Sequence, residues 1–222
     1  MDAYTWEKYE GMTIRRDLAH DRDIVNNVLI HDEYQLARLN IQHIEELVVD
    51  LGAHIGCFAK LYHKYNPYAT IICVEANPAN IALLYENVGS FARVVCGACY
   101  YSGRGLVALV DYVSFTTEVL RALPCVVAGQ PHGDPRIQVA TLTLEQITNG
   151  HPLDVLKIDV EGAEFNIFQN AKVWPRRLVI GEFHDHRDTW DNLRRSKFPG
   201  WRYSEVDCHH VVFHLEAPCP TV

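Results

Sequence analysis

Apolar residues fall along this chain in short runs, each closed by an acid or a glycine and each leading into a segment of helical spacing. Leu47-Val48-Val49-Asp50 is the first and Thr70-Ile71-Ile72-Cys73-Val74-Glu75 the second. Arg93-Val94-Val95-Cys96-Gly97-Ala98, Val155-Leu156-Lys157-Ile158-Asp159 and Leu178-Val179-Ile180-Gly181-Glu182-Phe183 follow. Short, β-branched, apolar runs of this kind read as strands buried on both faces. Between them, residues 55–65, 81–88, 162–170 and 188–196 predict helices. Asn66-Pro67 stops the first helix, and Asn77-Pro78 opens the second. Leu106 to Val110 predicts a strand pairing back, Val139 to Leu142 a short strand, and Thr143 to Ile147 a short helix. Residues 201–206 and 210–215 alternate as a terminal antiparallel hairpin does. Strands alternating with helices predict a doubly wound, mostly parallel α/β sheet. Any ligand then lies at the carboxyl ends of the strands.

Ahead of the first run, residues 1–20 predict an extension or a short strand, and residues 21–39 two short helices. Residues 1–46 thus read as an N-terminal helical extension or cap, and 47–222 as the main domain. Pro124, Gly129, Pro131, Gly133 and Pro135 mark 111–137 as a loop insertion, which at such length tends to lie near a site.

With 222 residues the chain can bury a good core as one domain. The net charge of −8 gives no broad attraction to a nucleic-acid backbone. There is no apolar run long enough to span a membrane and no signal-peptide pattern at Met1 to Glu7. Seven cysteines, an odd number scattered through strands, suit reduced thiols, so a cytoplasmic protein is expected.

The strand ends carry the candidate chemistry. Gly52 and Gly56 remove side chains where a backbone approaches a ligand or a packed neighbour. A pyrophosphate site prefers G-x-G-x-x-G, but here His54 and Cys57 stand at the second and third glycines. A ligand with an ammonium and a ribose, such as S-adenosylmethionine, fits Asp50 better. Glu75, ending the next strand, can accept two ribose hydroxyls side by side, or it can simply start a helix. Cys96-Gly97-Ala98 leaves room for a flat ring. Asp159, Glu161 and Glu164 could serve as base, substrate clamp or metal ligands, or merely favour a helix dipole. Cys96 and Cys99 form a C-x-x-C with no partner pair at zinc spacing. His210 and His214 share a strand face and read as plain strand residues.

Val-Val-Asp50-Leu-Gly52-Ala-His-Ile-Gly56, Val-Glu75-Ala-Asn77-Pro78, Leu-Lys157-Ile-Asp159-Val-Glu161-Gly162-Ala-Glu164 and Glu182-Phe-His184 together resemble the FkbM family of S-adenosylmethionine-dependent methyltransferases. The resemblance implies a class I (Rossmann-like) methyltransferase fold. That fold is a three-layer sandwich on a seven-stranded, mostly parallel sheet with an antiparallel terminal hairpin. It implies O-methylation of a small-molecule acceptor, a sugar or secondary metabolite. By the same likeness Asp50, Gly52, His54 and Gly56 line the methionine end, Glu75 the ribose, and Gly97 and Ala98 the adenine, with Ala76 also at the cofactor. Tyr34 covers the cofactor. The family tends to carry Asn where this chain has His54.

Methyl transfer needs an acceptor oxygen aligned with the sulfonium methyl and relieved of its proton. Asp159 is the first candidate for base or clamp, His184 the second, and Glu161 a group that positions either. A divalent metal held by Asp159, Glu161 and His184, with Asp185 and His186 nearby, is an alternative but not the expectation, because the spacing matches no fixed ligand motif. Two rival readings are a cofactor-binding protein without chemistry and a nicotinamide-dependent oxidoreductase.

Overall fold

A computed structural model describes residues 5–39, 41, 43–101, 106–111, 124–126, 138–184, 187–206 and 212–218. The apolar runs become strands β3 (Leu47–Leu51), β4 (Thr70–Glu75), β5 (Ala92–Cys96), β10 (Val155–Ile158) and β11 (Leu178–Gly181). They pair in parallel, and β12 (Arg202–Glu205) and β13 (Phe213–Glu216) close one edge as an antiparallel hairpin. The sheet order is β12-β13-β11-β10-β3-β4-β5. The order reverses between β3 and β10, so their carboxyl ends form the switch point.

Alternation along β3 divides the core. Val48 packs with Phe58, Tyr62, Leu83 and Leu84 on one face of the sheet. Val49 and Leu51 pack with Leu144, Ile167, Phe168 and Trp190 on the other. The first face is covered by α2 (Cys57–Tyr65) and α3 (Pro78–Val88), the second by α4 (Leu144–Thr148), α5 (Glu164–Asn170) and α6 (Arg187–Lys197). Asn77 caps α3 by accepting from the Ala79 amide, with Pro78 at the first helical position. Thr143 and Gln146 cap α4 reciprocally.

Two regions depart from expectation. Residues 6–15 form a hairpin, β1 (Trp6–Tyr9) and β2 (Met12–Arg15), where an extension or single strand was expected. Its turn residues Glu10 and Gly11 have φ +48° and +75°, a turn whose twist suits a tight hairpin. The strand β7 (Leu106–Asp111) does not pair back on β5. It pairs with β9 (Gln138–Leu142) and β8 (Pro124–Val126), and β9 also takes β6 (Ala98–Cys99), in a separate four-stranded sheet. The expected loop over 111–137 lies mostly outside the described residues, as do Asp185, His186, Cys208, His209 and His210.

After β2 the chain forms α1 (Ala19–Ile24), a π-helical turn over Val25–Ile30, and a single 3-10 turn at Leu36–Arg38. This segment packs Val25, Val28, Tyr34 and Leu36 on the α2 face of the sheet. It brings His20 and Tyr34 over the carboxyl ends of the strands.

Candidate active site

A cleft of about 200 Å³ opens at the switch point. Its lining includes Tyr34, Gly52, His54, Glu75, Ala76, Gly97, Ala98, Asp159 and Glu161. Most residues singled out from the sequence therefore meet in one place. Asp50, Gly56 and His184 do not line it.

The wall formed by β3, β4 and their turns is held by internal bonds. The amides of Gly52 and Ala53 both donate to the Val74 carbonyl, at 3.0 and 3.1 Å. Gly52 has φ +75°, and a Cβ there would stand 1.7 Å from the Asp159 carbonyl oxygen. Packing against β10 thus excludes a side chain at Gly52. At Gly56, φ +97°, a Cβ would meet Val88 Cγ1 at 2.6 Å, so this glycine lets α2 approach α3. Glu75 accepts from the His54 amide at 2.8 Å, the Asn77 amide at 2.7 Å and Asn80 Nδ2 at 3.3 Å. Burial raises the pKa of its carboxyl, against these bonds. A carboxylate has about four acceptor positions, so one remains, on Oε2.

The turn is locked by a residue the sequence reading passed over except as part of a motif. Lys157 is 3% exposed, and its Nζ donates to the Gly52 carbonyl at 2.7 Å and the Leu51 carbonyl at 3.3 Å. The same Nζ lies 3.2 Å from Asp50 Oδ1 and 3.7 Å from Asp159 Oδ2. Asp50 is fully buried and its carboxylate finds no aligned hydrogen bond, so the contact with Lys157 is an ion pair. Parallel register sets Lys157 beside Asp50 on the neighbouring strand. Asp50 therefore pairs with an ammonium of the chain itself and is not part of the cleft's lining. Burial would lower the Lys157 pKa, but Asp50 and Asp159 hold it above its ordinary value.

The opposite lip, at the ends of β10 and β11, is more open and densely charged. Asp159 is 22% exposed and accepts from the Tyr34 hydroxyl at 2.8 Å. Burial and the adjacent Asp159 keep that phenol protonated well above the ordinary tyrosine range. Glu161, at φ +53°, lines the cleft with its Oε2 3.5 Å from His184 Nε2. Glu182 Oε2 is 3.4 Å from the same nitrogen, and Glu164 Oε1 is 2.9 Å from His184 Nδ1. Glu164 is 1% exposed and also accepts from the amides of Val160 and Gly162, both at 3.0 Å. Burial would lower the His184 pKa, but the bonds to Glu164 and Glu182 carry it up to about 11. An imidazole so held is a cation at neutral pH and has no lone pair to take a proton.

Asp159, Glu164 and His184 each bring a ligand atom within 4.8 Å of the others, so a divalent ion could be accommodated there. Glu164 rather than Glu161 completes that set. His214, in the terminal hairpin, is buried with its Nε2 2.7 Å from the Tyr34 carbonyl, where it fixes the Tyr34 backbone as an Nε2–H donor.

A twisted, mostly parallel sheet of seven strands with an antiparallel terminal hairpin and a cleft at the switch point is the class I, Rossmann-like methyltransferase fold. Within that class the chain belongs to the methyltransferase FkbM domain family, whose model matches residues 50–211. No curated protein matches the sequence. A methyltransferase from Geobacter sulfurreducens superposes with a TM-score of 0.51 at 13% identity, over 89% of this chain and 85% of its own. Aeropyrum pernix fibrillarin, solved with natively bound S-adenosyl-L-methionine, aligns with a TM-score of 0.49 at 11% identity, over 98% and 83%. Among the described residues no helix is long and apolar enough to cross a membrane.

Proposed function

We propose that this protein transfers the methyl group of S-adenosyl-L-methionine to a hydroxyl oxygen of a small acceptor, a sugar or secondary metabolite. The observation that carries the reading is the placement of Asp159. Among the described residues it is the carboxylate that both contacts Lys157, which holds the glycine turn, and lines the open lip of the cleft.

In this reading the remaining acceptor position of Glu75 takes a ribose hydroxyl, with Ala76 beside it. Gly97 and Ala98, which line the cleft without bulk, face the adenine. The positive sulfonium sits near Asp159, Glu161 and Glu182. Asp159 accepts the acceptor's proton or orients its hydroxyl in line with the methyl. Glu161 positions the acceptor, and His184 acts as the cation that holds Glu161, Glu164 and Glu182 together. Alignment supplies much of the acceleration, because sulfonium transfer needs little more than an in-line oxygen.

Asp159→Asn keeps the shape and removes the basic oxygen. It is expected to lower turnover by roughly 10²–10⁴-fold while S-adenosylhomocysteine affinity stays within a few-fold. Radiolabel transfer and calorimetry on the same preparation measure the two. Unchanged turnover removes Asp159 from the chemistry. A thermal-shift comparison addresses the cofactor: S-adenosylhomocysteine raises the melting temperature and NAD does not, since only a ligand of the native state stabilises it.

A further inference from the structure

Unpaired nitrogen atoms line one seam of the cleft. His20, on α1, and His54, in the glycine turn, meet edge to face with centroids 5.4 Å apart, and both line the cleft. His20 Nε2 and both ring nitrogens of His54 are sealed from solvent, with no hydrogen-bond partner among the described residues. A buried polar atom without a partner is costly, and in native folds each one calls for a reason.

The nearest acid does not supply it. Asp21 Oδ1 lies 3.8 Å from His54 Nε2, beyond hydrogen-bond reach. Its carboxylate is already spanned by Arg15, whose Nε and Nη2 donate at 2.9 and 2.6 Å and whose amide donates at 2.9 Å. Arg15 and Asp21 are both buried, so their charges cancel locally. Elsewhere the charged lining of the cleft is Glu33, Glu75, Asp159, Glu161 and Glu182, with Lys157 buried against Asp50. A zwitterionic ligand is therefore sorted by charge. Its cationic groups belong at the acidic lip, and its anionic group belongs at the seam, where the acid within 4 Å of His54, Asp21, is already neutralised by Arg15.

We propose that the seam between His20 and His54 receives the carboxylate of the cofactor's amino-acid end, each imidazole donating one N–H to it. The inference rests on the cofactor reading above and adds a residue and an element to it: α1 becomes part of the binding site. A neutral imidazole has one N–H donor, so two rings provide two bonds to two carboxylate oxygens. Burial keeps both rings below their ordinary pKa, hence neutral at pH 7. The ring nitrogens are sealed in the form described, so the ligand must part the wall that covers them. The wall from His20 to Tyr34 is the part that does not belong to the sheet ends, and its π-helical turn at Val25–Ile30 is a irregular joint beside it. Opening there exposes the ring nitrogens, and the carboxylate then pairs them.

The test uses two ligands that differ in the amino-acid end. S-adenosylhomocysteine carries the carboxylate, and methylthioadenosine lacks it. Both are titrated calorimetrically into the full chain. His20→Leu is expected to weaken S-adenosylhomocysteine about tenfold or more and leave methylthioadenosine within twofold, because a hydrogen bond to a charged group is lost for one ligand only. His20→Gln, which restores an N–H, recovers most of the loss. Unliganded melting temperatures confirm that the variants are folded. Equal losses for both ligands, or no loss for either, overturn the carboxylate seam while leaving the cofactor reading intact. If the wild-type chain binds neither ligand, the cofactor reading fails and this inference fails with it.

Discussion

Two histidines, His54 in the glycine turn and His184 behind the acidic lip, are driven in opposite directions. Burial without a committed counter-charge pushes His54 down to about 3. At His184, burial is outweighed by hydrogen bonds that the ring donates to Glu164 and Glu182, and the ring is carried up to about 11. The difference separates the two walls. The glycine-turn wall is held mainly by backbone bonds, with the ion pair of Asp50 and Lys157 hidden beneath it and the Glu75 carboxylate tied down by amides. The lip is held by charge, with carboxylates converging on a single imidazole. A wall of the first kind is suited to holding one shape, and a lip of the second kind to stabilising positive charge brought to it.

The contrast breaks most severely at its hidden support. Lys157→Met leaves the fully buried Asp50 carboxylate without a cation, which is expected to cost roughly 3–5 kcal/mol. Chemical denaturation measures it. Adding Asp50→Asn removes the stranded charge and should recover part of the loss, so that the two changes are not additive. Full additivity would mean that the pair is not coupled and that the turn is held by the carbonyl bonds alone.

The histidines sharpen the contrast by a smaller amount. His54 has a folded pKa below its ordinary 6.5, so the unfolded chain binds the extra proton first. Stability falls as pH drops from 6.5 toward about 3, by at most about 1.4 kcal/mol per pH unit. His184 is raised, so its contribution is fully present below pH 6.5 and is lost as pH rises toward about 11. His54→Asn should flatten the acid limb of the stability curve and His184→Gln the alkaline limb. Denaturation midpoints across pH, compared with wild type, check both. If either variant alters the opposite limb, the assignment of the two charge states is reversed.

The smallest expected effect is none at all. Exhaustive chelation is predicted to leave turnover unchanged, because the His184 imidazolium already serves as the cation among the lip carboxylates. Loss of activity restored by a divalent ion would instead give Asp159, Glu164 and His184 to a metal.

The sheet could be read from the chain because its strands are buried on both faces, so apolar runs such as Thr70–Glu75 stand out without alternation. The strand-end residues followed, since a parallel sheet gathers them at one edge. What could not be read depends on pairing across distance. A lysine inside an apolar run does not announce which acid it will neutralise, and only strand register sets Lys157 against Asp50. For the same reason Leu106 to Val110 reads as pairing back on the strand before it, whereas β7 pairs with β9, which begins at Gln138. His20 carries no local signal of its meeting with His54. The β1–β2 hairpin is a different case. Glu10-Gly11 between alternating residues was a usable turn signal, weaker than Asn-Gly but of the same kind.

The central claim is that this cleft binds a sulfonium nucleoside. Calorimetric titration of S-adenosylhomocysteine into the full chain at neutral pH tests it most directly. The account predicts saturable binding of one ligand per chain. A titration showing no saturable association across neutral pH would contradict it.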